Sequence, residues 1–250
     1  MRARTWLLLS VTTAVCLGTP SWGGVIVGIV DGLVDGPGPD KLSVTILHTT
    51  KRWDGGSIDT SKGVMSLEME QTLAVDEGLE GKGLHVLLAI PTICRNVSVS
   101  LSLGDAKLPP SQCSPPEVKA LIAWLLAQKK DGSESVEPDQ VRFMRAPLGT
   151  ELAAGDTISL TMTCRIRPTE DDDALLFAVP QLLHRLEPRP VGELEYQIDV
   201  GPAKSVSVPG YESDTTIEEN TPTDDWRRIH YAAKSVPTDS LEDFIVRIIR

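Results

Sequence analysis

Aromatic residues are scarce in this chain of 250 residues, where Phe, Trp and Tyr together make up 4%. Basic residues are also outnumbered, because 24 Lys and Arg stand against 35 Asp and Glu and leave a formal net charge of −11. With few aromatics, the core must be built mostly from Val, Leu, Ile and Ala. An acidic chain repels phosphate backbones, so we expect no nucleic-acid partner.

Motifs that mark common catalytic sites are also missing. The sequence holds no His-Glu-x-x-His, no Gly-x-Ser-x-Gly and no phosphate-binding glycine loop. Its four histidines, His48, His85, His184 and His230, are far apart. We therefore expect no enzyme activity and no cofactor. A hydrolase whose active site is assembled from distant residues remains an alternative.

The first 23 residues have the layout of a secretory signal peptide. Arg2 and Arg4 give a positive start, residues 5–18 form an apolar run, and Ser21 and Gly23 fit cleavage after Gly23. Cleavage removes two arginines and no acid, which changes the net charge from −11 to −13. We expect an exported protein that is periplasmic, at the cell surface or secreted, with no membrane span after cleavage. If the segment is retained, it could join the apolar residues 24–30 as an anchor.

Three cysteines, Cys94, Cys113 and Cys164, remain after removal of the signal peptide. An oxidising compartment permits disulfides, and three thiols allow at most one internal pair. The segment between Cys94 and Cys113 could form a hairpin-like excursion, which favours that pairing. Three buried free thiols are the open alternative.

Alternation of apolar and polar residues recurs along the chain and favours strands with one buried face. The period of two is strict over residues 97–103 and 157–166, whereas residues 84–90 are continuously apolar, as in a strand buried on both faces. We predict a mainly β fold, an antiparallel β-sandwich-like domain over residues 41–250, preceded by a linker or first-strand region at 24–40. Further predicted strands cover residues 42–47, 64–75, 141–145, 175–179, 194–200, 205–208, 228–232 and 244–249, and residues 211–225 are predicted to be a long loop.

One amphipathic helix, at about 115–130, interrupts the β pattern. Ser114-Pro-Pro-Glu117 is a capping box with proline at the first helical position. The apolar stripe that follows has helical spacing and should pack on the sheet, whereas Lys129 and Lys130 lie where the helix dipole favours cations. The stripe consists of Val118, Leu121, Ile122, Leu125 and Leu126.

Two acidic motifs raise the question of a metal site. Asp171, Asp172 and Asp173 follow Glu170 in a predicted turn, and hard cations such as calcium take carboxylate oxygens. A continuous acidic run is more typical of a solvated loop, so these are only weak metal candidates. Residues 131–135 match an Asp-x-Ser-x-Ser metal motif, but they follow a helix end with two lysines, which favours a surface turn.

A binding surface is the other candidate site. Trp53, Tyr211 and Trp226 fall in segments predicted as loops. Exposed aromatic residues in loops are typical of interaction patches, so these three are the predicted interaction residues.

Several short motifs recur in one known family in the same order. They are Leu88-Ala-Ile-Pro91, Leu103-Gly-Asp105, the helix residues Ala120, Trp124, Ala127 and Gly132, the stretch from Val141 through Phe143 to Pro147, Leu176-Phe-Ala-Val-Pro180 and Asp243-Phe-Ile-Val246. On these motifs the chain resembles the VIT domain, the N-terminal module of inter-alpha-trypsin inhibitor proteins. Trp124 stands where the family usually has tyrosine, and Pro91 is what remains of a longer proline motif.

The resemblance implies a β-sandwich-like fold with one packed helix and no catalytic residues. A von Willebrand factor A domain usually follows the VIT domain, and this chain stops where it would begin. The implied partner is a protein at the cell envelope or a separate von Willebrand factor A-type domain. The expected function is thus a structural or protein-interaction module, and the alternative is a secreted β-sandwich that binds a glycan or calcium.

Overall fold

The computed structural model describes residues 26–33, 41–127, 141–180, 189–219, 226–237 and 244–250. Within these ranges the chain forms 17 strands and one helix, arranged in three sheets. The predicted mainly β, sandwich-like fold is confirmed. No helix in these ranges is both long and apolar enough to cross a membrane.

The five-stranded sheet has the order β2-β1-β5-β9-β8, and all of its neighbouring strands are antiparallel. Its central strand β5 is buried from residue 84 to its end, as the continuous apolar run predicts. The strands are β1 (Ile26–Asp31), β2 (Ser43–Ile46), β5 (Leu79–Pro91), β8 (Ser111–Gln112) and β9 (Val141–Leu152).

The eight-stranded sheet has the order β15-β16-β13-β3-β4-β10-β6-β7. β13 and β3 are parallel, whereas every other neighbouring pair in this sheet is antiparallel. The strands are β3 (His48–Asp59), β4 (Val64–Ala74), β6 (Arg95–Leu103), β7 (Ala106–Leu108), β10 (Thr157–Ile166), β13 (Val191–Val200), β15 (Thr215–Glu219) and β16 (Arg227–Val236).

The four-stranded sheet has the order β11-β12-β17-β14 and is antiparallel throughout. Its strands are β11 (Thr169–Asp171), β12 (Ala174–Val179), β14 (Ser205–Ser207) and β17 (Phe244–Ile249). The buried side of this sheet packs into the main core through Phe177, Val246 and Ile248.

The helix α1 (Pro115–Ala127) is the predicted one, and the described residues end before its predicted last turn. The backbone N–H of Ser114 donates to Oε2 of Glu117 at 2.6 Å, which is the reach-back bond of a capping box. Leu121, Ile122 and Leu125 are buried as predicted, but Leu126 is 43% exposed. The predicted stripe is therefore one residue too wide.

The three sheets and the helix form layers around two apolar clusters. The main core lies between the eight-stranded sheet and the other two sheets, whose strands contribute side chains such as Val86 and Phe177. The second cluster lies between α1 and the far side of the five-stranded sheet, where Leu121 packs with Leu87 and Phe143. One face of the eight-stranded sheet is thus buried, and no described element covers its other face, which we call the outer face.

Candidate functional site

The outer face is built by the residues that alternate with the core positions of each strand. On β4 the buried residues Leu67 and Met69 alternate with exposed Ser66, Glu68 and Glu70. β10 shows the same period, with Thr163 and Arg165 exposed on either side of buried Cys164. Alternation in each strand therefore produces a flat, polar surface.

Trp53 is the exception on this polar surface. It belongs to β3 and is half-buried, although it stands on the outer face. A Cβ built on Gly55 would overlap Cη2 and Cζ2 of the Trp53 ring. The indole therefore lies over Gly55, two residues along the same strand, and buries that glycine. Only glycine leaves room for this arrangement.

Carboxylates flank the indole on both sides. Trp53 pairs with Glu70 and Gly55 pairs with Glu68 on β4, while Glu195 of β13 pairs with Trp53 on the other side. Oε1 of Glu195 lies 3.3 Å from Nε2 of His230. Within the described part of the chain, neither Glu68 nor Glu70 has an ion-pair partner.

A groove of about 530 Å³ begins at the indole and runs across β3, β4, β10 and β6. Its far side is shaped by a break in the β6–β10 register between Thr163 and Arg165, where Asn96 has a φ of 51°. This bulge displays the Asn96 side chain at the rim. The groove is lined by Trp53, Gly55, Gly56, Ser57, Ser66, Leu67, Glu68, Asn96, Thr163, Cys164 and Arg165.

The reverse side of β3 carries a buried ion pair that no pattern in the sequence predicts. Arg52 and Asp54 flank Trp53 and point into the core, with side chains 1% and 0% exposed. Nη2 of Arg52 donates to Oδ2 of Asp54 at 2.5 Å and also to the carbonyl of Pro180. Burial opposes the charge, but Asp54 more than offsets it and raises the pKa of Arg52. This pair anchors the strand that presents the indole.

Trp226 lies on the same face but not in the groove. Its ring contacts the guanidinium of Arg228 at 5.1 Å from the ring centroid, and Nε of Arg228 donates to Asp199 at 2.7 Å. Asp199 pairs with Ser57 of β3, four residues along from Trp53, so the two indoles are separated by about 20 Å. The structure therefore does not bring them into one patch.

Tyr211 is buried and is not part of an exposed aromatic patch. It is 7% exposed, and its ring centroid lies 5.3 Å from that of Tyr231 and 5.1 Å from that of Phe244. This aromatic cluster belongs to the main core. The prediction of an exposed loop position is wrong, because the residues after Val208 turn back and bury the phenol ring.

The cysteines also differ from the favoured pairing. All three are free, and Cys94 lies in the main core whereas Cys113 packs on the helix side of the five-stranded sheet. These different layers separate Cys94 from Cys113, which corrects the predicted disulfide. Contact with the Cys164 thiol, together with burial, raises the pKa of Cys94. Burial raises the pKa of Cys113 to about 12.

The acidic run forms the tight turn between β11 and β12. Asp171 pairs with Ala174, so Asp172 and Asp173 are the two turn residues, and Asp172 has a φ of 48°. Among the described residues no three His, Cys, Asp or Glu side chains are grouped as a metal would require.

Three predictions fall outside the described residues. They are the other acidic motif at 131–135, the cations Lys129 and Lys130 at the helix end, and the cleavage site of the signal peptide.

The groove residues other than Trp53 were missed at the sequence level. The signal that could have located them is the spacing Trp53-Asp-Gly55 in a strand, because a period of two places both residues on one face. Trp53 was instead placed in a segment predicted as a loop. The residues of β6 and β10 are brought to the groove by pairing, which one sequence does not reveal.

Comparison with known proteins identifies the fold alone. No family model and no curated protein matches the chain. A solved protein from Legionella pneumophila, provisionally assigned as nutrient-binding, aligns with a TM-score of 0.50 and 9% identity, over 90% of this chain and 72% of that one. An M1 zinc metallopeptidase from Deinococcus radiodurans aligns with a TM-score of 0.43 and 11% identity, over 80% of this chain. A provisionally assigned protease from Parabacteroides distasonis aligns with a TM-score of 0.46 and 15% identity, over 81% of this chain. The chain spans 42% and 40% of those last two proteins.

Proposed function

We propose that this chain is an exported, non-catalytic, VIT-like module that works by contact at the cell envelope, through the outer face of its eight-stranded sheet. The observation that carries the proposal is the indole of Trp53, which lies over Gly55 in the middle of a polar face and remains half-exposed. Large aromatic side chains that are left at a surface cost solvation and are typical of binding hot spots.

Two features of the surrounding residues support this proposal. Arg52 and Asp54 hold β3 from the core side, so the indole is presented by a fixed strand rather than by a loop. Rigid presentation lowers the entropy that a binding surface loses when its partner docks. The groove beside the ring gives a partner a concave surface to enter.

Export and the partner remain predictions from the sequence. The signal-peptide layout of residues 1–23 supports export, and the acidic net charge argues against nucleic acid. The VIT resemblance implies a protein at the envelope or a separate von Willebrand factor A-type domain as the partner. The scattered histidines favour contact over catalysis.

The test is binding of the full chain to an envelope preparation, measured by co-sedimentation. We expect Trp53→Ala to lower the affinity by about tenfold or more, because truncation removes the central aromatic anchor. Trp226→Ala is the matched control, since it removes an indole from the same face outside the groove. Thermal melts of both variants establish that they are folded. If the two folded variants co-sediment equally well with the envelope preparation, the proposal is contradicted.

A further inference from the structure

The groove beside Trp53 is lined by hydrogen-bonding groups of every kind. Ser57, Ser66 and Thr163 contribute hydroxyls that donate and accept, Glu68 contributes an acceptor and Arg165 contributes donors. Asn96 adds an amide that does both. All six of these side chains are exposed, so they face solvent rather than one another.

The apolar part of the groove is small and flat. Of its apolar residues other than glycine, Leu67 and Cys164 are buried, and only Trp53 is half-exposed. One side of the indole covers Gly55, so the other side is available as a platform. The groove therefore offers a single flat aromatic surface within a ring of hydrogen-bonding groups, and no deep apolar pocket for a peptide side chain.

A sugar ring has the complementary chemistry. The C–H groups of a pyranose with equatorial hydroxyls form a flat apolar face that can stack on an indole. Its hydroxyls radiate around the edge, where each one needs both a donor and an acceptor. We infer that the groove between Trp53 and Arg165 binds a short segment of a neutral glycan, with one pyranose stacked on Trp53. This inference rests on the proposed function, because it concerns contact through the same face, and it replaces the protein partner that the VIT resemblance implies with a glycan of the envelope.

The dimensions and charge of the groove agree with such a ligand. It crosses four neighbouring strands, β3, β4, β10 and β6, which corresponds to about 14 Å across the sheet. That length suits an oligosaccharide better than a single ring. The lining balances one carboxylate, Glu68, with one guanidinium, Arg165, and the carboxylates of Glu70 and Glu195 beside the indole disfavour an acidic glycan.

The first experiment is isothermal titration calorimetry of the full chain with three trisaccharides. Cellotriose and chitotriose are β-1,4-linked with flat equatorial rings, whereas maltotriose is α-linked and curved. We expect saturable binding of at least one β-linked probe, preferred over maltotriose. Binding should change little in about 0.5 M NaCl, because a neutral ligand forms no ion pair that salt can screen.

Variants locate the binding to the groove. Trp53→Ala should weaken binding of that probe by about tenfold or more, and Trp226→Ala by less than about twofold. Gly55→Ala is an independent test, because the added methyl group displaces the indole and leaves every other groove side chain in place. It should weaken binding as Trp53→Ala does. Thermal melts show whether either variant has lost its fold.

The second experiment separates a glycan from a protein partner. Envelope preparations are treated with periodate, which cleaves vicinal diols, or with protease, and each is quenched before the full chain is added. Loss of Trp53-dependent binding after periodate supports the inference. Loss after protease alone, with no heat from any trisaccharide, overturns the inference but leaves the proposed function standing. Envelope binding that does not depend on Trp53 contradicts the proposed function itself.

Discussion

Arg52 and Asp54 are two charged residues placed where a β-sandwich normally has apolar ones. The side chains are almost completely buried and satisfy each other and the carbonyl of Pro180. A buried pair of this kind costs much of its Coulomb energy in desolvation, so it adds little stability over apolar residues. The fold loses much more stability when one partner is removed, because the other charge then stays buried without a counter-charge.

Asp54→Ala should therefore lower the free energy of unfolding by about 3–5 kcal/mol, because it leaves the Arg52 guanidinium without its carboxylate. The double variant Arg52→Met with Asp54→Leu removes both charges and should cost clearly less. Urea unfolding followed by circular dichroism measures both values. A double variant as unstable as the single one would show that the pair stabilises the fold directly.

The helix α1 depends on a residue that does two things at once. Glu117 accepts a hydrogen bond from the backbone N–H of Ser114 at 2.6 Å, and its Oε1 lies 3.0 Å from Nε of Arg145 on β9. The first contact caps the helix, and the second ties its start to the five-stranded sheet. Glu117 is 6% exposed, so its carboxylate is shielded from water, whereas the Arg145 side chain is 27% exposed.

Glu117→Ala should lower the free energy of unfolding by about 2–4 kcal/mol, since it removes the cap and leaves Arg145 without its ion-pair partner. Glu117→Gln is the matched variant, because its amide oxygen can still accept from Ser114 while the charge is lost. Its cost should lie between that of the wild type and that of Glu117→Ala. Chemical denaturation gives the order, and equal costs for the two variants would mean that the cap contributes nothing.

The strands that the sequence located well are those with unbroken alternation. β10 (Thr157–Ile166) and β17 (Phe244–Ile249) coincide with the predicted ranges, because each buries every second residue in the core. β3 was missed because its inward positions include Arg52, Asp54 and Gly56, which no pattern of apolar residues reveals. β15 was predicted as loop because its segment is acidic and polar, and among the described strands it pairs with β16 alone.

The candidate site was harder to predict than the fold. Trp53 was expected at a surface and does lie on one, but it stands in a strand whose inward-facing neighbours are a buried ion pair rather than apolar residues. Tyr211 was expected at the same surface and is buried instead, because its loop folds back on Phe244. Both residues stand in polar segments with glycine nearby, and tertiary packing leaves one ring half-exposed and buries the other.

At the scale of the whole molecule, two thiols in different layers both make the stability of the fold decrease at alkaline pH. Cys94 lies in the main core and Cys113 lies beside α1. Burial raises the pKa of Cys113 to about 12, and the Cys164 contact with burial raises that of Cys94 above its ordinary value of 9.0. Both thiols therefore stay protonated in the folded chain at a pH where they ionise in the unfolded chain.

Stability should be constant with respect to these thiols below about pH 9 and should fall as the pH rises from there towards 12, because the unfolded chain has then lost protons that the folded chain retains. The slope is at most about 1.4 kcal/mol per pH unit for each thiol. Urea unfolding at a series of pH values measures it. Cys113→Ala should make the decline shallower, and an unchanged slope in that variant would contradict the assignment.

The parallel contact between β3 and β13 has a consequence for how the chain is made. As the chain appears from its N terminus, β4 can pair with β3 at once, but β13 follows only at residue 191. During that interval the other edge of β3 is an open row of hydrogen-bonding groups beside a half-built apolar face, which is a template for association with other chains. Pauses in synthesis between residues 59 and 191 should therefore lower the soluble yield more than pauses after β13 has emerged.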